Sequence, residues 1–200
     1  MYKIELIIEK MKTTDLLKEY CDKEKFIGFC KKCKNYNKVW SCPPVKFNSD
    51  EYLKRYDNAY IIGTKVIYDE KTIKNTNTEE KISKVTEETF HDVKKLLATI
   101  FLQLEKEYEN TKFISSGVCD ICNECSRSLN NPCRYPDKMR YSFDSFGMDL
   151  SRISFKLLNT EIKWSKGQLP EYYTLISAFM TNNEIDNLKE KIENHIIKYN

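Results

Sequence analysis

Eight cysteines stand in this 200-residue chain, and their spacing is what could do chemistry. Cys119, Cys122 and Cys125 follow one another at two-residue intervals, and Cys133 comes after seven more residues, just before Arg134, Tyr135 and Pro136. Two successive short spacers wrap three thiolates around one face of a small volume, with a fourth ligand arriving from further along the chain. A cubane iron–sulfur cluster requires that arrangement. Zinc is the competing reading, because a single C-x2-C pair suits it equally well, although zinc sites more often use two well-separated pairs. Unligated thiols are the remaining alternative. Cys30 and Cys33 form another such pair, with Cys42 following after eight intervening residues and Pro43 and Pro44 directly behind it. This set supplies three thiolates, so it must borrow a ligand, leave one position open, or exchange with the other set. Cys21 is the numerical candidate for a fourth. It ends a predicted helix beside Leu17 and Tyr20, however, where a cysteine is commonly a small buried hydrophobe. The expected metal ligands are therefore Cys30, Cys33, Cys42, Cys119, Cys122, Cys125 and Cys133.

The residues around these sets offer less. Six lysines and no acid lie between Lys25 and Ser49, and such a stretch would favour thiolate over thiol and offset an anionic site. The bland reading makes them a solvated loop surface and Trp40 an ordinary core residue. Arg134 and Arg140, flanking Cys133, could meet an anionic partner or a cluster sulfide, but read first as surface arginines. His91 and His195, the chain's two histidines, fall on predicted helices and read as ordinary helix residues. Five scattered glycines make no phosphate loop, and no C-x3-C-x2-C run marks radical adenosylmethionine chemistry. A balance of 33 basic against 30 acidic residues, net +3, is too weak to imply nucleic acid.

The elements that must position these residues are legible as a pattern. The length suits one domain over 1–200, and the 12% aromatic content argues against disorder. No apolar run spans a bilayer and Met1–Met11 lacks an uninterrupted apolar region, so neither a membrane nor an export signal is expected. A reducing cytoplasm follows, where clustered thiols bind metal more often than they pair. Tyr2, Ile4, Leu6 and Ile8 alternate as in a strand, blurred by Ile7; a helix starts at Thr13 or Thr14 and carries Leu16, Leu17 and Tyr20 inward. The Cys30–Pro44 segment reads as irregular. Ala59–Tyr68 is a strand with Gly63 as its bulge, 70–78 is a loop, and Thr78 caps a long helix over 79–109. Lys112–Ser116 is a short strand leading through Gly117 into the second cysteine set. A helix is predicted over 143–158, strands at Glu161–Trp164 and Tyr172–Met180, and a C-terminal helix capped by Asn182 or Asn183 and marked by Ile185, Leu188, Ile192, Ile196 and Tyr199. The sum is an α+β fold: a small, mostly antiparallel sheet with helices packed on one face and two cysteine-rich metal-binding loops at its edge or end.

Together, C-K-x-C-x-N-Y-x-K-x-W-S-C-P-P from Cys30 to Pro44 and S-G-V-C-D-x-C-x-x-C followed by C-R-Y-P from Ser116 to Pro136 resemble the predicted metal-binding proteins called domain of unknown function 2284. F-D-S-F-G-M-D-L from Phe143 to Leu150 and the Pro170–Tyr173 entry into an apolar strand fit the same family, so the resemblance spans about residues 25–180. It implies an iron–sulfur or other metal-binding protein with no settled reaction. The seven motif cysteines carry over, and Cys21 does not. The expectation is a cytoplasmic protein with one or two iron–sulfur clusters, 4Fe–4S favoured over zinc, acting in electron transfer with a redox partner protein or as an accessory of a larger enzyme system. Three alternatives accompany it: an enzyme using an open iron as Lewis acid, a structural zinc protein, and, more weakly, a single-strand nucleic-acid binder using the lysines with Tyr36 and Trp40.

Overall fold

A computed structural model describes residues 1–199, apart from the side chain of Tyr199, so the expectation for that side chain lies outside the described residues. Four antiparallel strands, β1 (Tyr2–Lys12), β2 (Asn58–Tyr68), β3 (Thr111–Ile114) and β4 (Tyr172–Thr181), form a sheet in the order β1-β2-β4-β3. The alternation in β1 sends Tyr2, Ile4, Leu6 and Ile8 to one face, where they meet Ile62, Val66 and the long helix. Ile7 and Met11 pack on the opposite face, which explains why Ile7 interrupts the pattern. The central strands β2 and β4 are apolar on both sides because both sides are covered.

One face carries the long helices. In α5 (Glu79–Glu107) the predicted cap holds: the Thr78 hydroxyl accepts the Lys81 N–H at 3.3 Å. Val93, Leu97, Ile100, Phe101 and Leu104 are buried along its stripe, and the Phe101 ring stacks on Phe113 at 4.2 Å. Leu188, Ile192 and Ile196 of α7 (Leu188–Tyr199) join this core. The opposite face is covered too, by α1 (Thr13–Tyr20), α3 (Ser49–Leu53) and the residues from Phe143 to Leu158. Helices therefore flank the sheet on both sides, and the cysteine segments adjoin the second layer.

Several local expectations give way to packing. Lys23–Lys32 forms a helix, α2, started by the Asp22 carboxylate accepting the Lys25 N–H at 3.1 Å, so Cys30 is helical. Residues Glu70–Asn75 form α4, capped by Asp69. Gly63 is no bulge, for the register runs unbroken through Ile7, Gly63 and Ile176. Its missing side chain makes room for Leu158, whose Cδ1 would stand 3.0 Å from an added Cβ. The helix predicted over 143–158 is cut by Gly147 at φ +82°, leaving a 3-10 turn (Phe143–Phe146), then α6 (Leu150–Arg152) running into a π turn (Ile153–Leu157). A Cβ at Gly147 would lie 2.8 Å from the Lys23 Cα, and the Gly147 carbonyl accepts the Asp22 N–H at 2.9 Å. The break thus seats the start of α2. Glu161–Trp164 is not a strand; the Thr174 hydroxyl reaches the Glu161 carbonyl at 3.3 Å without a ladder. Asn182 and Asn183 do not cap α7 but tie the sheet end, Asn182 accepting the Asp57 N–H at 2.8 Å and Asn183 donating to Glu109 at 3.1 Å. No helix among the described residues is long and apolar enough to cross a membrane.

Candidate metal centre

The last turn of α2 presents Cys30, and Cys33 closes the helix, its N–H bonded to the Cys30 carbonyl at 3.0 Å. A spacing of three residues at a helix end places both thiols on one side. Tight turns then bring back Cys42: Asn37, at φ 57°, donates its N–H to the Pro43 carbonyl at 2.8 Å, and the Cys42 N–H meets Val39 at 3.1 Å. Cys30, Cys33 and Cys42 line one cleft of about 250 Å³, with Phe29, Tyr36 and Asp144 among the other walls. A cavity of about 380 Å³ adjoins it, sharing Cys30, Tyr36, Pro43 and Asp144. Cys33 is exposed and Cys42 buried.

The second set meets elsewhere. Cys119, Cys122, Cys125 and Cys133 line a single small cavity, about 20 Å³, closed by Trp40, Met139 and Tyr135. The stretch from Cys119 to Cys125 is neither helix nor strand. Cys21 lines neither cavity. Its half-buried thiol donates to the Phe146 carbonyl at 3.4 Å and packs against the second layer. Among the described residues, no three His, Cys, Asp or Glu side chains already converge on one metal position. The donor sets nonetheless fit the expected chemistry: one cavity with four thiols, and one cleft with three.

The two loops are interlocked by residues that the spacing of cysteines does not reveal. Buried Arg127, in the spacer before Cys133, donates to the carbonyls of Val39, Cys42 and Pro44 at 3.0, 2.7 and 2.7 Å and to the Asn37 side chain at 3.0 Å. Its guanidinium also lies 4.9 Å from the Trp40 ring centre, a cation–π contact. The Trp40 indole N–H reaches the Asn131 carbonyl at 3.1 Å, so this tryptophan is a wall of the second cavity and not ordinary core. Ser41 is fully buried; its hydroxyl accepts the Cys119 N–H at 2.8 Å and its carbonyl the Ser142 N–H at 3.0 Å. Asp144, from the F-D-S-F-G stretch, reaches the first cleft. Ser41 and Asp144 stand in the quoted motifs, whereas Arg127 lies in the unspecified spacer before Cys133.

The second loop is also moored to α5. Lys94 donates to the Val118 carbonyl and, at 3.1 Å, to Asp120, which His91 approaches at 3.6 Å. Arg140 is buried, its Nε 2.7 Å from Glu105, and is a structural anchor instead of a surface arginine. Arg134, which is exposed, donates to the Glu124 carbonyl at 2.7 Å. His195 meets the Lys191 carbonyl one turn back, an ordinary helix residue as expected. The lysines do not lower the thiols of Cys30, Cys42 or Cys119. Burial pushes the Cys42 thiol up to about 12, and burial with the nearby Asp144 carboxylate raises Cys30 as well. Cys119 is raised by burial too. Lys31, Lys32, Lys34 and Lys38 are exposed, and solvent screening weakens their effect on the thiols.

The family model of a predicted metal-binding protein, domain of unknown function 2284, matches residues 17–179. No curated protein and no solved structure matches the chain.

Proposed function

Given that the chain belongs to the predicted metal-binding family known as domain of unknown function 2284, we propose that it is a cytoplasmic iron–sulfur protein with one or two clusters of the 4Fe–4S type. It passes electrons to a partner protein or serves as the cluster-bearing accessory of a larger enzyme system. The observation that carries this reading is the common cavity of Cys119, Cys122, Cys125 and Cys133, whose C-x2-C-x2-C opening is that of cluster-binding runs. These four would hold a closed cluster, and Cys30, Cys33 and Cys42 a second. Bound there, a cluster supplies one-electron redox chemistry at a potential set by its thiolates, hydrogen bonds and solvation. The chain's own contribution is to fix the ligands and limit water. Trp40 and Met139 wall the four-thiol cavity, Ser41 holds the Cys119 backbone, and Arg127 holds the backbone carbonyl of Cys42.

A second reading has its own support at the first cleft. Three thiolates leave one coordination position without a cysteine, Cys21 is bonded elsewhere, and about 250 Å³ of space opens beside the thiols. Iron held there would be a Lewis acid for a small substrate. The small volume between the other four thiols would suit zinc as a structural ion, the reading that their spacing favours less. Anaerobic purification with iron, acid-labile sulfide and zinc analysis decides among these. Brown protein containing iron and sulfide is expected; colourless protein with stoichiometric zinc and no sulfide would sink the reading. Exogenous cyanide or a small thiol then separates carrier from enzyme, because a shift in the reduced EPR spectrum reports an open iron.

A further inference from the structure

The lysines that do not tune the thiols surround them. Helical spacing puts Lys25, Phe29 and Lys32 on a common face of α2, with Cys33 one turn beyond Phe29. Phe29 is 60% exposed, a large apolar ring left in solvent; it packs on Phe26 at 5.9 Å and forms a lip of the Cys30–Cys33–Cys42 cleft. Around it Lys31, Lys32, Lys34 and Lys38 are exposed. Among the described residues none of these four makes an ion pair, while Lys23 and Lys25 have carboxylates at 2.8 and 3.8 Å. Unpaired cations around an exposed aromatic, next to the exposed thiol of a metal cleft, form a surface that lacks its counterpart.

We propose that this surface docks an acidic protein that carries single electrons, an inference that rests on the iron–sulfur reading. The positive field is local: six lysines and no acid from Lys25 to Ser49, in a chain of net charge only +3. A small basic patch of this kind steers an oppositely charged protein and fixes its orientation, while the aromatic provides a dehydrated contact. An extended polyanion fits it less well, because outside this stretch the chain carries 27 basic against 30 acidic residues. In the docked pair one electron would leave the iron that Cys30, Cys33 and Cys42 would hold and enter the partner's oxidised centre. No bond forms or breaks and no proton is needed.

The test uses the iron-loaded protein with two probes, an acidic ferredoxin and a basic c-type cytochrome. Calorimetry gives binding, and stopped-flow absorbance gives the second-order rate. Binding of the acidic probe should weaken steadily with salt. The triple variant Lys31→Glu/Lys32→Glu/Lys34→Glu should lower the rate at low salt by about tenfold or more, the scale of electrostatic steering. Lys84→Glu/Lys95→Glu/Lys106→Glu, reversing exposed lysines of α5, should leave it unchanged. Iron content and the thermal transition report whether the first triple variant folds. Phe29→Ala, which alters no charge, should weaken binding and keep the salt slope. Salt-independent binding, equal affinity for the basic cytochrome, equal losses in both triple variants, or tighter binding of a single-stranded oligonucleotide would each overturn the proposal. Failure of dithionite to reduce the loaded protein would instead sink the iron–sulfur reading, while calorimetry would still report on the surface.

Discussion

Arg127 directs its charge to four oxygens of a loop 83 to 90 residues earlier in the chain, and among the described residues no carboxylate shares it. Hydrogen bonds from a charged donor contribute about 1.5–3 kcal/mol each when a partner is lost. Arg127→Met should therefore destabilise the protein by at least about 3 kcal/mol. It should also strip metal from the three-cysteine site, although Arg127 belongs to the other loop. Arg127→Lys should not rescue it, since an ammonium cannot replace a planar fork. Denaturant titration with metal analysis checks both. Among the thiols, Cys21→Ser should retain the full metal content, whereas Cys30→Ser, Cys33→Ser and Cys42→Ser should each lose metal or change its spectrum. Equal loss from Cys21→Ser would make the first site a closed four-cysteine site. The buried thiols also set a pH dependence. Cys42 ionises near 9 when exposed and at about 12 in the fold, so the metal-free protein should lose stability as pH rises through that interval, because only the unfolded chain gains thiolate there. A denaturation midpoint that stays flat across it would contradict this account.

At the scale of elements, the placement of α2 decides the first site, and Gly147 decides the placement of α2. Gly147→Ala puts a methyl group against backbone at a φ that disfavours a side chain by about 1–2 kcal/mol before any clash. It should loosen metal at Cys30 and Cys33 while sparing the four-cysteine set, which metal analysis and spectra would separate. Gly63→Ala meets only the end of the Leu158 side chain and should cost less. The same two glycines show what the sequence could disclose. β1, β2, β4 and α5 were readable because their apolar periods and the Thr78 cap are local signals. The cut at Gly147 was not, because the apolar stripe of Phe146, Leu150, Ile153 and Leu157 imitates a continuous helix and the obstacle, Lys23, is distant in sequence. α2 was masked by the lysines and cysteines that make its exposed end look like a loop. The cysteine grouping was readable from spacing; Arg127, Ser41 and Asp144 were not, because buried contacts to backbone carry no period.

For the molecule as a whole, the two apolar layers on either side of the sheet contain none of the seven motif cysteines. Small metal domains unfold without their ion because the ion is their core. This chain has a core of its own, so removing metal with a chelator should disorder the cysteine loops yet preserve a cooperative thermal transition and most of the far-UV circular dichroism. Loss of that transition would show that the metal is structural in the stronger sense. The interlock by Arg127 also sets an order in time. A ribosome completes the Cys30–Pro44 loop long before it adds the arginine that clamps it. At about 5–20 residues per second, the gap of 85 residues between Cys42 and Arg127 lasts roughly 4–17 seconds. During that interval the three thiols exist on the nascent chain without their clamp, and the first site cannot be finished while the protein is half made. A metal held there would meet the clamped loop only after Arg127 has emerged, at the same stage as the cysteine set that surrounds Arg127 in sequence.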